Sequence, residues 1–146
     1  MPHKTVYWED VEEGQHLPTL IKEVTATTII AGAIACRDFN PLHHDRDFAV
    51  KHGAPDIYMG VQVTSGWASK YLTKWSGPEG ELKRLEFSLE APCFPGATLI
   101  WSGRVVKKYV EGDQHLVDVE YTATVPIGTH CTGTATMALP IKDDCR

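Results

Sequence analysis

The sequence predicts a single α+β domain in which an antiparallel sheet wraps around a long central helix. Three observations lead there. The chain has 146 residues, enough for one domain with one core. In its first half, apolar residues recur at helical spacing, and the longest such segment stops at Gly77-Pro78. In its second half the period changes to two, with turn signals between the alternating runs. No linker separates the halves, and a helix with an apolar face needs a sheet to cover it. The domain therefore spans 1–146, with 1–10 and 141–146 expected at its periphery.

Taken in order, Leu17 to Val24 reads as an edge strand, because Pro18 has no N–H to donate to a ladder. Thr25, Thr27 and Thr28 are N-cap candidates for Ile29 to Ala35, an apolar helical segment expected to be largely buried. Its end is expected near Asn40-Pro41, since proline lacks an N–H and restricts the residue before it. Asp45 can cap a second, short helix through Val50. Gly60 to Trp75 is the long central helix, with Val61, Thr64, Ala68, Tyr71, Leu72 and Trp75 on its inward stripe. Trp67, Tyr71 and Trp75 read as core or dimer surface rather than pocket wall. From Leu85 the chain alternates through Phe87, Leu89 and Ala91, and later through Val117, Val119, Tyr121, Ala123 and Val125. Turns at Pro95-Gly96, Glu111-Gly112-Asp113 and Ile127-Gly128 divide this half into four strands of one meandering sheet, the last being His130 to Leu139.

Composition narrows the function. The longest apolar run, Ile29 to Cys36, is far shorter than the ~20 residues a membrane span needs, and the first ten residues offer no apolar signal core. A cytoplasmic location is expected, with no membrane partner. A net charge of −5 argues against a general nucleic-acid binder. Lys83-Arg84, Arg104 and Lys107-Lys108 form either a small anion-binding patch or solvated strand edges. Cys36, Cys93, Cys131 and Cys145 make no metal or redox spacing and read as reduced thiols, Cys36 as an inert one buried in its helix.

The densest group of reactive side chains runs from Arg37 to Asp47. Asp38 and His43 would lie about 140° apart on a continuous helix, but a break at Pro41 allows both to face one pocket. An acid and a base could then share a water. His44 with His43 and Asp45 lacks further ligands at metal spacing, so no metal is expected. Asn40 suits a turn.

Asp38-Phe39-Asn40-Pro41-Leu42-His43, followed by Asp45, resembles the D-x-N-P-x-H-x-D signature of the MaoC-like (R)-specific enoyl-CoA hydratases. The likeness continues through Leu85-Glu86-Phe87, Ala91-Pro92, Phe94-Pro95-Gly96, Thr98-Leu99, Gly133-Thr134-Ala135 and Pro140. It implies a hot-dog fold, active in pairs with coenzyme A bound between units. Arg37, His44, Arg46-Asp47, Ala49-Val50, Gly53, Asp56-Ile57, Gly66, Tyr71, Thr73 and Trp75 add a further resemblance to the catalytic small subunit of two-chain hydratases of actinobacterial steroid side-chain degradation. That resemblance implies a bulky acyl group and a homodimer or a heteromer with a sister hot-dog chain.

Carried over residue by residue, the resemblance implies that Asp38 and His43 are the catalytic pair, adding water across the 2,3 double bond of an enoyl-CoA thioester. It also gives Gly60 the oxyanion-donor position, with Asn40 aiding substrate positioning. Coenzyme A enters as part of the substrate, and no cofactor is implied. Two departures stand out: Met59-Gly60-Val61 where many relatives read His-Gly-Met, and Ala68 at the family's helix serine, with Ser65 and Ser69 nearby. A hot-dog acyl-CoA thioesterase and a non-catalytic hydratase subunit are the competing readings.

Overall fold

The computed structural model describes residues 4–142. Its elements are a 3₁₀ turn (Trp8–Asp10), β1 (Leu20–Glu23), α1 (Ala26–Ala35), a second 3₁₀ turn (Pro41–His43), α2 (Arg46–Lys51), α3 (Val61–Ser76), β2 (Glu81–Leu89), β3 (Thr98–Glu111), β4 (Gln114–Val125) and β5 (Gly128–Ala138). The strands form one antiparallel sheet in the order β1-β3-β4-β5-β2. This is the single hot-dog domain that the resemblance implies.

The sheet is not a simple meander. Strands β3, β4 and β5 follow one another, but β2 lies at the far edge beside β5. The connection from β2 to β3 must therefore cross the fold. It is tied down on the way by Met59 N–H donating to Cys93 O at 3.0 Å and by Gly96 N–H donating to Val24 O at 2.7 Å. Strand β2 also starts at Glu81, four residues before the alternation becomes legible at Leu85, because a register shift between Leu82 and Arg84 breaks the period of two.

Helix α3 is clamped between this sheet and α1. Val63, Thr64, Ala68, Tyr71, Leu72 and Trp75 are buried on its inward stripe. Val61, expected there, is instead 47% exposed at the first helical position, and Val63 takes its place. A Cβ on Gly32 would come within 2.8 Å of both Val63 methyls, so α1 crosses α3 at a point only glycine permits. Gly133 does the same in the sheet: a Cβ there would lie 2.5 Å from Tyr121 Cζ, and the Tyr121 hydroxyl donates past it to Glu86 O at 3.0 Å.

Several expectations need correction. Only Ile29 and Ala33 of α1 are buried, while Ile34 is 58% exposed, because one chain covers only one side of this helix. Cys36 lies at its C-cap and is exposed rather than buried. Cys93 and Cys131 are buried, and Cys145 lies outside the described residues. Of the stretch expected at the periphery, Val6 and Trp8 pack against the core, and their N–H groups donate to Ser76 O and Pro140 O. No described helix is long and apolar enough to cross a membrane.

Candidate active site

Helix α1 ends five residues earlier than Pro41 requires, and the way it ends places Asp38. Thr25 opens the helix by accepting from Thr28 N–H. At the other end, Arg37 N–H donates to Ile34 O at 3.0 Å and Asp38 N–H donates to Ala33 O at 2.9 Å. This pair of bonds is a Schellman cap, which needs a left-handed residue just past the helix. Arg37 supplies it at φ 56°, the one described non-glycine residue with positive φ. Glycine is the usual choice, since an L-residue pays about 1–2 kcal/mol there. The cap reverses the chain and turns Asp38 back toward the start of α3.

The next residues form a chain of local bonds. Asn40 N–H donates to Asp38 Oδ1 at 3.2 Å, and Leu42 N–H donates to Asn40 Oδ1 at 3.1 Å. Asn40 thus caps the 3₁₀ turn, with Pro41 at its first position. Asp45 then accepts from Phe48 N–H at 3.0 Å and starts α2. The turn delivers His43 to the interior, with 7% of its surface exposed, while His44 next to it is exposed.

His43 Nδ1 lies 2.7 Å from Tyr58 O. A carbonyl only accepts, so Nδ1 carries the hydrogen, and in the neutral ring the Nε2 lone pair is free. Nε2 faces Asp38 Oδ2 at 3.5 Å. That gap exceeds a good hydrogen bond, leaving both atoms able to engage a third group. The His43 ring also meets Tyr58 edge to face, with centroids 5.4 Å apart.

Gly60 completes the cluster as the N-cap of α3, with no side-chain cap. A Cβ at this position would stand 3.1 Å from His43 Nε2 and 3.2 Å from Asp38 Oδ2. Its φ of −76° and ψ of 159° suit any residue, so what disfavours a side chain here is the close approach of His43 and Asp38 and not the backbone. Among the described residues its N–H has no hydrogen-bond acceptor. The helix N-terminus adds partial positive charge there.

Asp38, His43 and Gly60 are thus brought together, while Asn40 shapes the turn between the first two, its N–H on Asp38 Oδ1 and its own Oδ1 accepting from Leu42 N–H. The basic residues are not brought to this cluster. Lys83 pairs with Glu81 at 2.6 Å, Arg84 with Glu86 at 2.5 Å and Arg104 with Glu120 at 3.2 Å, while Lys108 Nζ donates to Val11 O at 2.8 Å. Lys83, Arg84 and Arg104 are therefore charge-paired on the strand surface, Lys108 is tied to a backbone carbonyl, and Lys107 Nζ lies over the Tyr109 ring, 4.5 Å from its centroid. Ala68 is fully buried, and the Ser69 hydroxyl donates to Ser65 O at 2.9 Å, so the helix backbone uses it.

Two polar residues near this cluster escaped the sequence reading. Thr64 and His130 are buried, and Thr64 Oγ1 lies 2.9 Å from His130 Nε2. Thr64 was legible only as a polar residue on an apolar stripe, and His130 only as a strand terminus.

No protein-family model matches the chain. It is 33% identical over 130 residues to the 3-oxo-4,17-pregnadiene-20-carboxyl-CoA hydratase β subunit of Mycobacterium tuberculosis, spanning 89% of this chain and 96% of that one. Among solved structures it is similar to the ChsH1-ChsH2 complex from Mycobacterium tuberculosis, with a TM-score of 0.82, 32% identity, and coverage of 88% of this chain and 98% of that one. The (R)-hydratase from A. caviae involved in PHA biosynthesis shares the fold, with a TM-score of 0.80 at 24% identity over 90% of this chain and 99% of that one. By its 33% identity with a hydratase subunit along most of both chains and by its hot-dog fold, this chain belongs to the MaoC-like hydratase family.

Proposed function

We propose that this chain is a hydro-lyase that adds water across the 2,3 double bond of an enoyl-CoA thioester. The observation that carries the reading is the packing of Gly60 against both Asp38 Oδ2 and His43 Nε2, at 3.2 and 3.1 Å from its would-be Cβ. The Gly60 N–H donor, a carboxylate and an imidazole lone pair then face one space. A thioester oxygen held by Gly60 N–H puts its conjugated C2 and C3 beside the pair. Water between Oδ2 and Nε2 gives a proton to the pair as its oxygen attacks C3. The pair returns a proton to C2, so the sum is one water added and no coenzyme A released. The negative charge that forms on the thioester oxygen is met by a preorganised N–H at a helix N-terminus. No cofactor enters the scheme.

A non-catalytic subunit would have no use for a glycine wedged between an acid and a base, and the 3.5 Å Asp38–His43 separation favours the catalytic reading over it. The acyl group we propose is a bulky, steroid side-chain type, on the strength of the relative's name and the 33% identity. We further propose a heteromer with a sister hot-dog chain as the working assembly. Exposed Ile34, Phe39 and Val61 support a covering partner, since Phe39 adjoins Asp38 and Val61 adjoins Gly60.

The test is a series of enoyl-CoA thioesters from crotonyl to steroid acyl, with and without a candidate sister chain. Loss of enoyl absorbance without thiol release supports hydration. Thiol release at the same rate would instead support a thioesterase, and no turnover in any combination would leave the non-catalytic reading.

A further inference from the structure

We propose that Thr64 and His130 are positioning residues for Gly60, clamping the first turn of α3 so that the Gly60 N–H stays aimed at the reacting oxygen. The proposal rests on the hydratase reading for its catalytic consequence, but its structural content stands separately.

His130 sits in β5 with 2% of its surface exposed, and Thr64 is fully buried. His130 Nδ1 lies 2.8 Å from Ala91 O, which can only accept, so Nδ1 carries the hydrogen. Burial pushes the His130 pKa below its usual value and favours the neutral ring. Nε2 is then a pure acceptor, and the Thr64 hydroxyl, 2.9 Å away, must donate to it. The same hydroxyl oxygen is 3.3 Å from Gly60 O, and Thr64 N–H donates to that carbonyl at 3.1 Å. One hydroxyl hydrogen cannot serve both acceptors well. The shorter contact wins, and the Gly60 carbonyl is held by the Thr64 N–H.

The consequence is positional. Ala91, the far end of this chain of bonds, belongs to the crossover that also contains Cys93, whose carbonyl accepts from Met59 N–H at 3.0 Å. Gly60 is therefore referenced to one crossover from both sides: through Met59 on its N-terminal flank, and through Thr64 and His130 on its C-terminal flank. Helix N-termini ordinarily fray or rely on a side-chain cap, and α3 has no such cap. The buried pair takes over that function at the place where a displaced N–H would matter most. Preorganised donors act in the transition state more than in the ground state.

The test compares Thr64→Val, which keeps the shape and removes the hydroxyl, with Thr64→Ser, which keeps the hydroxyl, in the hydration-competent assembly. Thr64→Val is expected to lower kcat about 10-fold with KM shifted less than about 3-fold, short of the full loss of an oxyanion donor. Thr64→Ser should stay within about 3-fold of wild type. His130→Asn, which can still donate to Ala91 O but cannot reach Thr64, should behave like Thr64→Val and serves if that variant folds poorly. Independently of turnover, the Gly60 amide resonance in an ¹⁵N-labelled chain should move in Thr64→Val and stay in place in Thr64→Ser. An unmoved Gly60 amide in folded Thr64→Val, or equal kcat for the Val and Ser variants, overturns the positioning role. Absence of hydration in the wild type would overturn the hydratase reading alone, and the amide comparison would still decide the clamp.

Discussion

Asp38 Oδ2 and His43 Nε2 meet 3.5 Å apart although their residues stand on opposite sides of the Asn40-Pro41 turn. Three local devices produce that meeting: a Schellman cap at Arg37, an Asn40 side chain bonded to Leu42 N–H, and the Tyr58 carbonyl that orients His43. The pair is thus placed by bonds outside itself, with no substrate needed to bring its two atoms together. Asp38→Asn and His43→Gln are each expected to lower hydration turnover at least about 100-fold, the low end for losing a general acid or base. Circular dichroism should show both variants folded, since asparagine and glutamine come close to the shapes they replace and neither Asp38 nor His43 belongs to the apolar core cluster. Turnover near wild type in either folded variant removes that residue from the chemistry.

Gly60→Ala probes the other half of the site. The backbone there tolerates alanine, but its Cβ would press on His43 Nε2 at 3.1 Å and Asp38 Oδ2 at 3.2 Å. The expected outcome is a fall in kcat of about 10-fold or more from misplacing the pair, with a change in stability of only about 1 kcal/mol. Steady-state kinetics beside a thermal melt separate the two. A fully active Gly60→Ala enzyme would mean that the substrate binds elsewhere.

Much of this arrangement was legible in the sequence because it depends on near neighbours. Thr25, Asp45 and Gly77-Pro78 act within a few residues of where they stand, so the helices they bound were predictable. The Asp38 to His43 turn was legible for the same reason. Residues whose roles depend on distant partners were not. His130 becomes meaningful only when β5 brings it against Thr64, 66 positions earlier. Val61 and Val63 differ by which one meets Gly32 of α1, and no local period distinguishes them. The placement of β2 beside β5 is likewise a long-range choice, invisible to turn signals. Arg37 was hidden in another way, because left-handed backbone is ordinarily announced by glycine or asparagine.

That Arg37 conformation yields a stability prediction. Arg37→Gly and Arg37→Val both remove the exposed guanidinium, so their difference isolates the backbone. Glycine accepts φ 56° freely, whereas a β-branched residue resists it. Arg37→Val should be less stable than Arg37→Gly by about 1–2 kcal/mol. Urea unfolding of both measures this, and equal midpoints would show that the cap relaxes to another conformation.

The buried thiols give a prediction with a defined pH direction. Burial pushes Cys93 and Cys131 up to about 11, well above the usual thiol range, whereas Cys36 is exposed. At pH 8 an alkylating reagent should therefore modify Cys36 quickly and leave Cys93 and Cys131 untouched until denaturant is added, with Cys145→Ser used to simplify the count. The same shifts are linked to stability. An unfolded thiol ionises before a folded one whose pKa is raised, so the unfolded state binds fewer protons in that window and stability falls as pH rises. The contribution of the two thiols is fully present below the ordinary thiol pKa and is lost as pH climbs through about 11. Urea midpoints measured from pH 8 to pH 11 should decline for the wild type and decline less for Cys93→Ala with Cys131→Ala, compared with each variant's own value at pH 8. An identical decline would mean that other groups, such as the buried Tyr121, whose pKa burial also raises, carry the alkaline destabilisation.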